Sequence, residues 1–141
     1  MMSIEEAEKE LVNEFALFDD WMGKYEYIID LGKDVPMIDD KYKDENHLIK
    51  GCQSKVWLHS EMKDGYIHYT ADSDALITKG LVAMIVRVLS DHTPEEILSS
   101  RLEFINQIGL QEHLSPTRAN GLLSMVKQIK LDAQAHLIAK K

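Results

Sequence analysis

The sequence predicts an α+β fold: a small antiparallel sheet of two or three strands with helices packed on one face, in a single domain over residues 1–141. Three observations carry that expectation. Lys63-Asp64-Gly65 joins two β-rich runs, 55–62 and 66–70, and Asp-Gly between such runs is a strong short-range hairpin signal. Further on, Leu81-Val82-Ala83-Met84-Ile85-Val86 has almost no polar face until Arg87, and a helix apolar all round belongs at the buried centre of a fold. Finally, so small a sheet needs helices to cover one face, and helix signals occupy both sides of it in the sequence.

Taken in order, the chain opens with Ser3 and Glu6 spaced as a capping box. Ala7, Leu11 and Phe15 then recur on one helical face, with Val12 beside them. Asp19 is the candidate cap of a second helix, whose stripe is Trp21, Tyr25 and Ile28, widened by Met22 and Ile29. Gly32 is its expected stop. From Lys33 to Asn46 the chain is charged, holds Pro36 and shows no period, which reads as a surface loop. Its Asp39-Asp40 and Asp44-Glu45 pairs read as solvated charge. Leu48-Ile49 is a candidate third strand ahead of the hairpin. Asp72-Ser73-Asp74 is expected to open the central helix, because such side chains satisfy free N–H groups and suit the positive end of the dipole. Thr93-Pro94-Glu95-Glu96 is a second capping box with proline first. A short helix follows, then another over about 102–108 that Gly109 stops. Ser115-Pro116 starts the last helix, with Leu122, Val126, Ile129 and Ala133 as its buried stripe. Arg118 falls at the third position of that helix, where a cation opposes the dipole.

Bulk properties narrow the function. The 141 residues are 45% apolar, which allows a real core and excludes general disorder. A net charge of −8 argues against nucleic-acid binding and suits a basic patch on a protein partner. The N-terminus, Met1-Met2-Ser3-Ile4-Glu5-Glu6, is acidic and lacks the basic and apolar regions of a signal peptide. No apolar run approaches the roughly 20 residues of a membrane span. These features predict a cytoplasmic protein, where a lone thiol stays reduced. Cys52 is the only cysteine, so an internal disulfide, a CxxC pair and a Cys-rich zinc site are all excluded. The six histidines are scattered, and no metal or cofactor is expected.

Cys52 stands in Gly51-Cys52-Gln53-Ser54-Lys55-Val56-Trp57-Leu58. A glycine precedes it, small polar residues follow, and a strand begins at Val56. A thiol in a polar turn ahead of a strand is rigidly supported yet reachable, and the glycine permits backbone angles that other residues avoid. The same position also suits an unreactive, partly buried thiol.

This stretch resembles the active-site signature of the SufE family, the sulfur acceptors of cysteine desulfurases. Two further stretches match in the same order: Asp72-Ser73-Asp74-Ala75 running into Lys79-Gly80-Leu81, and Leu114-Ser115-Pro116 with Arg118, Gly121 and Leu122. The resemblance spans about residue 8 to about residue 135. It implies the scaffold type shared with iron–sulfur assembly proteins and no cofactor of the protein's own. It also implies a persulfide carrier at Cys52, with Gly51, Gln53, Asp74, His113 and Arg118 as partner or pocket contacts. The implied partners are a cysteine desulfurase of SufS or CsdA type and a downstream iron–sulfur scaffold, the protein acting as an acceptor and activator more than as an independent enzyme. A homodimer stays open.

Three other readings of the residues stay open beside it. A thiol enzyme would use His113 or His59 as the base for Cys52. A redox sensor would cycle through sulfenic acid at Cys52. In an interaction module Cys52 would be structural.

Overall fold

The computed structural model describes residues 2–140, so the first and last residues of the expected 1–141 domain lie outside the described residues. The elements are α1 (Ile4–Phe15), α2 (Trp21–Leu31), β1 (Val56–Lys63), β2 (Tyr66–Ser73), α3 (Leu76–Leu89), α4 (Pro94–Ser99), α5 (Phe104–Ile108), α6 (Leu110–His113) and α7 (Pro116–Lys140). The two strands form an antiparallel sheet. Val56, Leu58, Ile67, Tyr69 and Ala71 join the helices in one hydrophobic cluster. The expected α+β architecture is what the chain adopts.

The sheet is a tight hairpin, paired from Val56 opposite Ser73 to Lys63 opposite Tyr66. Asp64 and Gly65 both take positive φ, 53° and 88°, the turn geometry that matches strand twist. Leu48-Ile49 does not become a third strand. It makes one isolated bridge, Leu48 opposite Trp57, with Ile49 N donating to Val56 O at 2.8 Å. Gly51 turns the chain away directly afterwards and ends the pairing. The supposed surface loop is also more ordered than its charge suggests. Val35 and Ile38 are buried, and the loop lies along the other sheet edge, where Ala71 N donates to Pro36 O at 2.9 Å and Ile38 N to Ala71 O at 3.3 Å. A buried edge must satisfy its backbone groups, and this segment does so.

α3 is the buried centre, as its composition requires, with Ile77, Leu81, Val82, Met84, Ile85, Val86, Val88 and Leu89 all enclosed. It crosses α2 closely at two glycines. A Cβ on Gly80 would sit 2.0 Å from Ile28 O, and one on Gly32 would sit 3.1 Å from Gly80 N. Gly32 therefore does not end α2 in the left-handed conformation expected; its φ is −59° and the chain runs on into a 3-10 turn over 32–34. The close approach of α3 makes a larger residue tight there.

The caps show where local signals hold. The boxes at Ser3 and Thr93 form with both reciprocal bonds. The cap of α2 is Asp20, not Asp19: Asp20 Oδ1 accepts from Gly23 N at 2.8 Å, a reach Asp19 lacks from one residue further out. Met22 is 67% exposed, so the inward stripe of α2 is narrower than expected. α3 begins after Ala75 with no side-chain cap, because Asp72, Ser73 and Asp74 are engaged elsewhere. Asp72 is buried at the end of β2 and pairs with Lys43 Nζ at 2.5 Å and Lys79 Nζ at 3.3 Å. Gly109, at φ 86°, stops α5 as expected; the one-turn α6 that follows carried no sequence signal. On α7 the enclosed stripe is Leu122, Met125, Ile129 and Ala133, with Val126 only partly buried at its edge. Tyr69 Oη donates to Ile129 O at 2.8 Å and ties β2 to α7.

Candidate functional site

Cys52 sits at the apex of a short excursion, residues 50–54, held at both ends. On one side Ile49 N donates to Val56 O. On the other, Lys55 and Asp74 bond twice: Lys55 N donates to Asp74 Oδ1 at 3.0 Å, and Asp74 N donates to Lys55 O at 3.2 Å. Ser73 Oγ adds a bond to Lys55 O at 2.8 Å. Two segments far apart in sequence thus fix the chain a few residues from the thiol.

The apex rests on α7. Cys52 Sγ donates to Gly121 O at 3.5 Å, and a Cβ placed on Gly121 would lie 3.6 Å from Sγ, in contact with it. Gly51 has φ 95°, and a Cβ there would lie 2.3 Å from Ser124 Oγ. Both the backbone angle and the approach to α7 demand glycine at position 51. Gly51 and Cys52 lie in the turn ahead of β1, and nothing local in the sequence points to their neighbour Ser124.

Cys52 is half-buried, and burial pushes its thiol up from the ordinary value. Low dielectric disfavours the thiolate, and a nearby cation would have to restore it. Arg118 does not do so. It is exposed, with its guanidinium carbon 5.7 Å from the centre of the Tyr25 ring, and only its backbone N–H joins the cap, donating to Ser115 Oγ at 3.3 Å. It forms no ion pair with Asp74 among the described residues.

His113 stacks on Trp21 with ring centres 4.6 Å apart, and its Nδ1 lies 2.9 Å from Gly109 O. His59 stacks on Tyr42 at 3.6 Å and bonds Glu61 Oε1 at 3.0 Å through Nε2. Neither imidazole hydrogen-bonds Cys52.

The expected residues therefore fall into two groups. Gly51, Cys52 and Asp74 build and clamp the loop on Gly121, with Gln53 exposed at its tip. His113 and Arg118 each lie on an aromatic ring of α2, and Trp21 and Tyr25 are one turn apart. Arg118 precedes Gly121 by three residues, about one turn of α7, or ~5 Å along its axis. Trp21 and Tyr25, expected in the stripe of α2, pack against the core and also carry these two side chains. Among the described residues, no three His, Cys, Asp or Glu side chains converge as a metal site needs. Among the described residues, no helix is long and apolar enough to cross a membrane.

Residues 9–133 match the family model described as SufE, the Fe-S metabolism associated domain. The chain is 37% identical over 135 residues to an uncharacterised SufE-like protein of Rhizobium meliloti (strain 1021), covering 92% of this chain and 96% of that protein. It is 35% identical over 135 residues to an uncharacterised SufE-like protein of Rhizobium etli, covering 92% of this chain and 91% of that one. The solution structure of a hypothetical protein from Thermus thermophilus superposes with a TM-score of 0.78 at 18% identity, over 98% of this chain and 99% of that one. That last likeness concerns the fold alone.

Proposed function

The chain belongs to the SufE family, with a role in Fe–S metabolism, and from that premise we propose that Cys52 accepts sulfane sulfur from a cysteine desulfurase of SufS or CsdA type and passes it to an iron–sulfur scaffold. The transfer is an exchange at sulfur. The Cys52 thiolate attacks the outer sulfur of the donor's persulfide. A new bond forms from Cys52 Sγ to that sulfur, the donor's S–S bond breaks, and its electron pair leaves on the donor's cysteine as thiolate. No oxidant or reductant is consumed. The thiol proton, directed at Gly121 O in the resting state, must leave before the attack.

The observation that carries the reading is the seat of Cys52: a lone, half-buried thiol on a clamped loop, facing a helix position without a side chain. A carrier needs a single nucleophile with no resolving thiol, sheltered from oxidants and stray thiols between partners. The upward push on the Cys52 thiol fits a carrier that is quiet alone and active once docked. It counts against a peroxide sensor, which works through an exposed thiolate of low pKa. Asp74 supports the loop through Lys55, and Arg118, His113 and the exposed Gln53 are proposed contacts for the desulfurase.

Intact mass after incubation with a desulfurase and free cysteine tests the reading. The expected result is one added sulfur on the protein and none on Cys52→Ser, with the fold unchanged. Added sulfur on the Ser variant, or none on the parent, refutes it. Alkylation gives the pH arm. Because only thiolate reacts and burial raises the folded pKa, labelling of the free protein should still be climbing, about tenfold per pH unit, at the ordinary thiol value of about 8.5. A plateau below that value contradicts the buried seat.

A further inference from the structure

A cavity of about 640 Å³ opens between residues 45–50, β1 and α7, lined among others by Lys50, Ser60, Gln128, Asp132 and His136. Its size lies within the usual range for small-molecule sites. Asp132 stands on its wall with neutral donors only: Gln128 Nε2 donates to Oδ1 at 2.9 Å, and Ser60 Oγ donates to Oδ2 at 3.5 Å. Ser60 Oγ also lies 3.0 Å from His136 Nε2. Among the described residues, no lysine or arginine nitrogen comes within ion-pair distance of this carboxylate, and Lys50 on the rim is exposed. Burial raises the pKa of Asp132 against the opposing pull of Gln128, His136, Ser60 and His47, and a cation on the carboxylate would add to that pull and favour its charged form. The net charge of −8 also favours a positive ligand.

The hydrogen bonding says which cation fits. Gln128 holds Oδ1 at a normal distance, while Oδ2 has only a long bond and remains open. A guanidinium fork needs both carboxylate oxygens, whereas an ammonium is a point charge that needs one. Its remaining N–H groups can donate to Ser60 Oγ and to water in the cavity. A metal ion would need three converging ligands, which the described residues lack.

We propose that this cavity binds a primary ammonium group on the Asp132 carboxylate, brought either by a free aliphatic amine or by a lysine side chain. The site does not depend on the role of Cys52. Its test is an NMR titration of the isotope-labelled full chain with n-butylammonium, with n-butanol as the neutral isostere, and with Nα-acetyl-lysine amide.

The expected result is saturable shifts from n-butylammonium at residues 58–60 and 128–136, with none from n-butanol. Asp132→Asn keeps the shape and should weaken binding by about tenfold or more, the worth of a charge-assisted bond. The same titration on Cys52→Ser should be unchanged. Tighter binding of the lysine amide than of n-butylammonium assigns the site to protein lysines; the reverse assigns it to free amines. Equal shifts from n-butanol, no saturation, or full binding by folded Asp132→Asn overturns the proposal. The n-butanol comparison uses the unsubstituted protein, so it decides the matter even if Asp132→Asn does not fold.

Discussion

Replacing Gly51 with alanine should loosen the Cys52 loop without unfolding the protein. An L-residue in the left-handed region costs about 1–2 kcal/mol, and Gly51 has φ 95°. The new Cβ would also lie 2.3 Å from Ser124 Oγ and 3.1 Å from Ser124 Cβ. The hydroxyl can rotate away but the Cβ cannot, so overpacking adds about 1–3 kcal/mol. Lifting the 50–54 excursion off α7 relieves both costs, and the clamps at Ile49–Val56 and Lys55–Asp74 confine the movement. A loop easier to open by only about 2 kcal/mol exposes the thiol about 30-fold more often.

Iodoacetamide labelling of Cys52 should therefore run at least about 30-fold faster in Gly51→Ala, while the thermal midpoint falls by less than the strain alone implies. Gly51→Ala/Ser124→Gly removes the clash but keeps the backbone strain, so its rate should fall between the two. Parental labelling in Gly51→Ala would refute the seating of the loop on α7. A large loss of global stability with unchanged labelling would show that the strain spreads into the core.

Gly80→Ala should be far more damaging, because its Cβ would meet Ile28 O at 2.0 Å and backbone cannot step aside. Separating α2 from α3 at the buried centre should cost about 3 kcal/mol or more, which is about 10 °C in a thermal melt; a drop of about 2 °C or less would contradict the close crossing. Arg118→Ala should leave the melt within about 2 °C, since losing an exposed contact over Tyr25 of about 0.5–1 kcal/mol is offset by removing a cation from a helix N-terminus. Sulfur transfer from the desulfurase should nevertheless slow; an unchanged rate would remove Arg118 from the docking surface.

Features set by neighbours in sequence were legible in it. Ser3 and Glu6, and Thr93 and Glu96, can only meet across one helical turn. Asp64-Gly65 accepts the two positive φ angles of the hairpin turn, and the apolar run of α3 has nowhere to go but the interior. The turn around Cys52 was legible for the same reason, since its glycine and small polar residues are local. Asp72-Ser73-Asp74 shows the limit. Its composition is that of a cap, but all three residues found other partners: Lys43 and Lys79 for Asp72, and Lys55 for Ser73 and Asp74.

The sequence by itself determined the long helices and the hairpin, that α3 lies at the centre, and that the one cysteine sits in a turn ahead of a strand. Only the tertiary structure decided what that cysteine faces. Gly121 is 69 residues away along the chain, and Arg118 reaches Tyr25 from another helix. Capping and periodicity are energies of residues a few positions apart, so they are written in the local pattern. Burial of a thiol, closeness of a cation and the need for a bare Cβ position depend on which surfaces pack together. That packing follows from the whole core, and no short stretch of the sequence contains it.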